Sequence, residues 1–126
     1  MIRISSLTIS ATNNAEGLEI RKNEEKVFFR ANFGEKHHHP EMTAKICDVK
    51  RFLKRTGQSL ICIEAPGTPK DQHHTRIGIF LHPKDKAASR AYFPTSGDDS
   101  CDLIVLRRRE FKSALKLLTF PGQFSK

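Results

Sequence analysis

The chain lacks the patterns that mark most membrane proteins and most enzymes. No apolar run approaches the length of a membrane span, and serine and threonine interrupt the apolar residues near the N-terminus. No glycine-rich loop precedes a predicted helix, no serine lies in a glycine-flanked elbow, and the motifs CxxC, HxxxH and HExxH are missing. We therefore expect an intracellular protein, in the cytoplasm, nucleoid, nucleus or a phage-infected host, with no membrane association, cofactor or bound metal, and binding rather than catalysis as its role.

Cysteine is scarce and odd in number. Cys47, Cys62 and Cys101 lie in or beside apolar runs such as LICIEA. A set of three cannot pair completely within one chain, and buried free thiols are typical of a reducing compartment. We expect three buried, unbridged cysteines.

Basic residues are abundant. The 126 residues carry a formal net charge of +8, with a pI near 9.7. Such a charge creates a positive field that attracts phosphate backbones, and an acidic protein is the alternative partner. The length favours one domain, because two halves of about 60 residues would each bury too little surface to be stable alone.

A near-duplication organises the chain. KICDVKRFLKRTG at 45–57 is echoed by IVLRRREFKSALK at 104–116, so that Phe52 and Phe111 occupy equivalent places. Each copy begins with strand-like residues and turns into a short basic helix. We predict a single α+β domain over 1–120, with pseudo-repeats at about 1–58 and 59–120 and a flexible tail at 121–126. Each repeat contributes four strands and then a helix to a mainly antiparallel sheet.

Alternating apolar residues predict the strands, and apolar stripes at helical spacing predict the helices. The first helix is expected to begin at an N-cap, Asp48, and to end at Gly57. In the second helix, Phe111, Ala114, Leu115 and Leu118 form the buried stripe. The predicted strands are 2–10, 18–21, 26–33, 42–47, 60–65, 76–82, 91–94 and 103–106.

By element order alone, this pattern resembles the Whirly and Pur-alpha groups of single-strand binders. The resemblance covers most of the chain in the order of its elements and none of it in residues. It implies binding of single-stranded nucleic acid on a duplicated strand-and-helix fold. Other duplicated α+β folds, including half of a sliding-clamp ring, have a similar element order.

Aromatic and cationic residues share one face of several predicted strands. Bases stack on aromatic rings while guanidinium groups contact phosphates, so this composition suits single-stranded DNA or RNA bound without sequence preference. In the alternative arrangement the phenylalanines pack beneath the helices. The predicted contacts on this mixed face are Phe28, Arg30, Arg76, Phe80, Arg90 and Tyr92.

Two basic helical segments form a second candidate surface. A phosphate backbone wrapping the protein would engage several of their side chains, although such residues often form only a solvated face. The segments comprise Lys50, Arg51, Lys54 and Arg55 in the first copy and Arg107, Arg108 and Arg109 in the second.

Histidines support an alternative function. Imidazole titrates near neutral pH and acts as general acid and base in small nucleases. The candidates are His37, His38, His39, His73 and His74. A third possibility is a basic inhibitor or adaptor that docks on an acidic protein. A half-covered sheet would also leave apolar area for association of the chain with itself.

Overall fold

Eight strands and two helices follow one another in the order that the near-duplication predicts. A computed structural model describes residues 5–13, 15–34, 39–54, 59–65, 77–81, 87–95 and 100–120. The first half contains β1 (Ser6–Ser10), β2 (Gly17–Lys22), β3 (Lys26–Asn32), β4 (Met42–Lys45) and α1 (Ile46–Lys54). The second contains β5 (Ser59–Glu64), β6 (Ile77–Leu81), β7 (Ala88–Pro94), β8 (Cys101–Arg107) and α2 (Arg108–Thr119). The α+β class with an antiparallel sheet is confirmed.

The strands form one sheet in which each strand pairs with its neighbours in the chain. The spatial order is β1-β2-β3-β4-β5-β6-β7-β8, and every pair is antiparallel. At one end the sheet bends round until its edge strands meet, where Ala11 bridges Leu106 and the Thr12 amide donates a 2.9 Å hydrogen bond to the Val105 carbonyl. The two halves therefore share one sheet.

Both helices pack on the same face of this sheet, which we call the inner face. Alternation along the strands sends Leu18, Ile20 and Phe29 inward, and the apolar stripe of α2 meets them. The core is centred on a phenylalanine cluster, in which Phe80 stacks on Phe111 with ring centroids 5.2 Å apart and lies 4.5 Å from Phe29. The opposite, helix-free side is the outer face.

Strand β6 is apolar on both sides, and the structure shows which side turns inward. Gly78 and Phe80 face the core, whereas Ile77 is 53% exposed on the outer face. A Cβ added to Gly78 would lie 3.2 Å from Met42 Cγ and 3.3 Å from the Tyr92 carbonyl oxygen, so the glycine makes room for Met42. The aromatic ring occupies the inner face because it completes the phenylalanine cluster.

Some predicted boundaries are wrong. Helix α1 begins at Ile46, so Ile46 and Cys47 are not strand residues, and Asp48 lies in the first turn rather than at the N-cap. The Ile46 amide, which has no partner within the helix, donates a 3.0 Å hydrogen bond to the Glu25 carbonyl. Strands β7 and β8 are also longer than predicted. The predicted end of the first helix at Gly57 and the tail at 121–126 lie outside the described residues.

The cysteines differ from one another. All three are unbridged, but only Cys62 is buried; Cys47 and Cys101 are exposed, so the expectation of three buried thiols is wrong for these two. Burial, together with the nearby charge of Asp48, raises the pKa of the Cys62 thiol far above its ordinary value and suppresses the reactive thiolate. Neither helix of the described residues has the length and apolar composition that a membrane span requires.

Candidate nucleic-acid interface

A cationic groove runs along the solvent-facing side of α2. It has a volume of about 270 Å³ and is lined by Arg108, Arg109, Lys112, Ser113 and Lys116. Steps of four residues place side chains on one side of a helix, as from Arg108 to Lys112 and from Lys112 to Lys116. The opposite side of α2 is held in the core by its buried stripe. Packing of α2 therefore directs the cations into solvent.

The positive charges in the groove are not neutralised by the described part of the chain. Glu110, the one acid in the first turn of α2, pairs instead with Arg107 at 3.4 Å, and no other carboxylate of the described residues lies within 4.0 Å of a groove cation. Partial burial lowers the pKa of Lys112, and the charges of Arg108 and Lys116 lower it further. An anion placed in the groove would relieve this repulsion.

The lowered pKa of Lys112 leads to the first prediction. At a given alkaline pH a larger fraction of this amine is neutral and nucleophilic, so we expect the pH midpoint of its acylation to lie below the ordinary 10.5. The measurement is trace acylation across pH with peptide mass spectrometry. Inorganic phosphate should move the midpoint upward by stabilising the ammonium form. A midpoint at or above 10.5 would contradict the crowded groove.

Helix α1 adds further cations to the same layer. The two helices together carry seven cationic side chains and two carboxylates, and they pack against each other through Phe52 and Phe111, whose centroids are 6.3 Å apart. Arg51 pairs with Asp48 at 3.2 Å, and the Lys50 ammonium lies 5.1 Å from the centre of the Phe120 ring. Of the predicted helical contacts, Arg55 lies outside the described residues. We call the solvent side of α1 and α2 the helical layer.

The outer face of β2 and β3 has a different character, because its cations are matched by acids. Arg21 forms a two-point contact with Glu41, at 3.0 Å from Nε and 2.9 Å from Nη2. Its guanidinium carbon lies 4.2 Å from the centre of the Phe28 ring, so Arg21 covers the ring and leaves Phe28 only 9% exposed. Arg30 approaches Glu19 at 3.8 Å and Glu41 at 4.0 Å. Here a guanidinium already occupies the place of a stacked base.

The predicted mixed face is divided by the structure. Phe80 is fully buried in the phenylalanine cluster, so its assignment as a base-stacking residue is wrong. Arg76 lies outside the described residues. Arg90 is exposed on the outer face. Tyr92, which is half-buried, lies two residues further along β7 and pairs with Ile79 on one neighbouring strand and with Leu103 on the other. Of the three predicted stacking aromatics, Tyr92 alone keeps an accessible edge without displacing another side chain.

The histidine prediction can be examined at one position. The Nε2 atom of His39 lies 2.8 Å from a carboxylate oxygen of Asp102, the side chain is 2% exposed, and the ring packs 4.3 Å from that of Phe33. This histidine links the start of β8 to the segment before β4, and a scissile phosphate cannot reach it in this arrangement. The other four candidates, His37, His38, His73 and His74, lie outside the described residues. The described ranges contain no cluster of three metal-binding side chains.

Three groove residues are missing from the predicted contacts. Lys112, Ser113 and Lys116 line the groove although the prediction ended at Arg109. The available signal was the four-residue spacing from Arg108, which continues the basic run along the helix. Consecutive arginines are more conspicuous in a sequence than spaced lysines, although both kinds of position line the groove.

Comparison with known proteins adds no relative from which a function could be transferred. No protein family, curated protein or solved structure matches this chain.

Proposed function

We propose that this protein binds the phosphate backbone of nucleic acid without reading the base sequence, and that the helical layer is the contact surface. The observation that carries the proposal is the groove on α2, where four cations and a hydroxyl converge with no carboxylate among the lining residues. Phosphate contacts of this kind supply most of the affinity of sequence-tolerant binders.

The dimensions of the groove suit several phosphates. From Arg108 to Lys116 the helix rises roughly 12 Å, at about 1.5 Å per residue, and one strand of a duplex presents a phosphate every 3.4 Å or so along its axis. The groove therefore spans about three to four nucleotides of one strand. The Ser113 hydroxyl and the arginine side chains can donate hydrogen bonds to phosphate oxygens, and an anion there would offset the repulsion of Lys112 by Arg108 and Lys116.

Strand type is the finer part of the proposal. Single strands are expected from the mixed aromatic and cationic composition, but Phe80 is buried and Arg21 covers Phe28. Among the described aromatics this expectation rests on Tyr92, which lies on the outer face, on the opposite side of the sheet from the groove. A backbone-dominated site also accepts duplexes. We keep single-stranded DNA or RNA as the proposed ligand and compare it directly with duplex below.

The test is fluorescence anisotropy of the full chain with short labelled single-stranded DNA, duplex DNA and RNA at low salt. Lys112→Ala and Arg109→Ala should each weaken binding about fivefold to tenfold, equal to about 1 to 1.4 kcal/mol. The loss should be the same for unrelated base sequences. Gel inspection of the same samples should show intact strands, because degradation would favour the nuclease alternative.

Arg90→Ala is the matched comparison, since Arg90 is an exposed arginine on the opposite face of the sheet. It should change the affinity less than twofold if the helical layer is the site. A larger loss in Arg90→Ala than in Lys112→Ala would place the contact on the mixed face instead, and equal losses would contradict a contact confined to the groove. Absence of salt-dependent binding by the unaltered chain would refute the proposal and turn attention to an acidic protein as the partner of the groove.

A further inference from the structure

The exposed large aliphatic side chains gather on one part of the molecule. Within the described ranges they are Ile61 (58% exposed), Ile63 (48%), Ile77 (53%) and Leu103 (41%). All four point outward from strands β5, β6 and β8. Their clustering is a property of the second half of the sheet, whose outer side we call the apolar face.

Strand register makes the apolar face continuous. Ile63 pairs with Ile77, and Ile61 pairs with Ile79 on the next strand. Ile79 in turn pairs with Tyr92, and Tyr92 pairs with Leu103, so one row of apolar side chains crosses four strands. Opposed side chains in an antiparallel pair lie about 4.5 to 5.5 Å apart, so the row is continuous. The Tyr92 hydroxyl is the one polar side-chain group in it.

The first half of the sheet shows that the fold does not require such a surface. On the outer face of β1 to β3, the row that starts at Thr8 continues through Glu19 and Arg30. These positions are polar or charged, as expected for a strand side that faces water. The same architecture therefore has one wettable half and one apolar half, and contiguous exposed apolar area on a water-soluble surface marks an interaction site.

We propose that a second copy of this chain covers the apolar face, with the two β5–β8 sheets packed face to face across a twofold axis. The face carries no carboxylate on its outward positions in the described strands, and its cations, Arg90 and Arg107, lie toward one end. A twofold contact matches the apolar row with itself and leaves the arginines at the rim, in water.

The area suits only a weak, reversible dimer. Four strands about 4.8 Å apart and five residues long give a footprint of roughly 19 by 17 Å, or about 320 Å² on each copy. Two copies therefore bury about 650 Å² before the relief of the side chains and the rim are added, which places the contact at or below the lower limit of about 1,200 Å² for a specific interface. We therefore expect association in the micromolar range rather than an obligate dimer.

Dimerisation would not obstruct the groove on α2, since the helices lie on the inner side of the sheet, but it would cover Tyr92 and exclude base stacking on that ring. The inference does not depend on the proposed function. It adds to that function if both hold, because a dimer displays two helical layers facing away from each other and can engage two segments of nucleic acid.

The experiment is sedimentation velocity of the full chain over a concentration series from low to high micromolar. The unaltered chain should pass from monomer to dimer, and Ile61→Asp should weaken the dimer at least tenfold by placing a charge at the most exposed position of the row. Thr8→Asp is the matched control, because it adds the same charge to an exposed outward position in the polar half, and it should dimerise like the unaltered chain.

Ile61→Thr keeps a β-branched side chain and guards against a folding defect in Ile61→Asp; it should also weaken the dimer, with an unchanged circular dichroism spectrum. A monomer at all concentrations of the unaltered chain would overturn the proposal and assign the face to another protein or to a segment outside the described residues. Dimerisation of Ile61→Asp equal to that of the unaltered chain would equally overturn it. Anisotropy with Ile61→Asp separates the two proposals, since its groove is intact.

Discussion

Phe80→Ala is expected to lower the free energy of unfolding by about 3 to 5 kcal/mol, the cost of removing a buried ring that the surrounding structure cannot replace. The ring is fully buried, stacks on Phe111 at 5.2 Å and contacts Phe29 and Phe93, so its loss opens a cavity between the sheet and α2. Urea unfolding followed by circular dichroism measures the change, since the chain has no tryptophan to report by fluorescence.

Ile77→Ala is the internal comparison for this prediction. Ile77 lies three residues away on the same strand and is 53% exposed on the outer face. Its replacement should cost less than about 1 kcal/mol, as is usual for surface positions. If the two variants were equally destabilised, or the order were reversed, the register of β6 would be shifted by one residue and the apolar face would be the true core side.

The second large effect is expected from reversing the charge of the groove. Arg109→Glu combined with Lys112→Glu should reduce affinity for nucleic acid at least 100-fold at low salt, because two phosphate contacts become repulsive. Up to four groove contacts, each contributing a slope of about 0.7, predict that the unaltered chain loses about 50-fold in affinity between 50 and 200 mM salt. The reversed variant should show a much flatter salt dependence. Anisotropy titrations at several salt concentrations measure both quantities.

Lys26→Glu combined with Lys45→Glu provides the control, since it changes the net charge by the same amount. These lysines are directly opposite each other on β3 and β4, so reversing both preserves a like-charge pair. A general field effect would weaken both double variants equally. Only a localised contact on α2 predicts a large loss of affinity in the α2 double variant and a small loss in the Lys26 and Lys45 double variant. Unfolding curves must show that both variants are folded.

Much of the fold could be predicted from local sequence patterns. The near-duplication predicted the order of strands and helices, and helical spacing correctly placed Phe111, Ala114 and Leu115 on the buried side of α2. The start of α1 was missed because Ile46 and Cys47 are apolar residues that also suit a strand. What decides it is the hydrogen bond from Ile46 to the Glu25 carbonyl, a contact between distant parts of the chain.

The candidate site was harder to predict for the same physical reason. Alternation shows that β6 has two faces, but when both are apolar it does not show which is inside; that depends on the partners of Phe80 across the core. The cover over Phe28 comes from Arg21, held by Glu41 twenty residues away in sequence. Helical periodicity alone, by contrast, suffices to bring Arg108, Lys112 and Lys116 into one groove.

The pairing of every strand with its sequence neighbours has a consequence for how the protein is made. On the ribosome each strand meets its partner as soon as it emerges, so the sheet can grow in the order of synthesis. The phenylalanine cluster is completed only when Phe111, which follows Phe29 and Phe80 in the chain, has been added. A sheet that formed in this order would have an incompletely covered inner face until α2 followed, and α2 would then close the core.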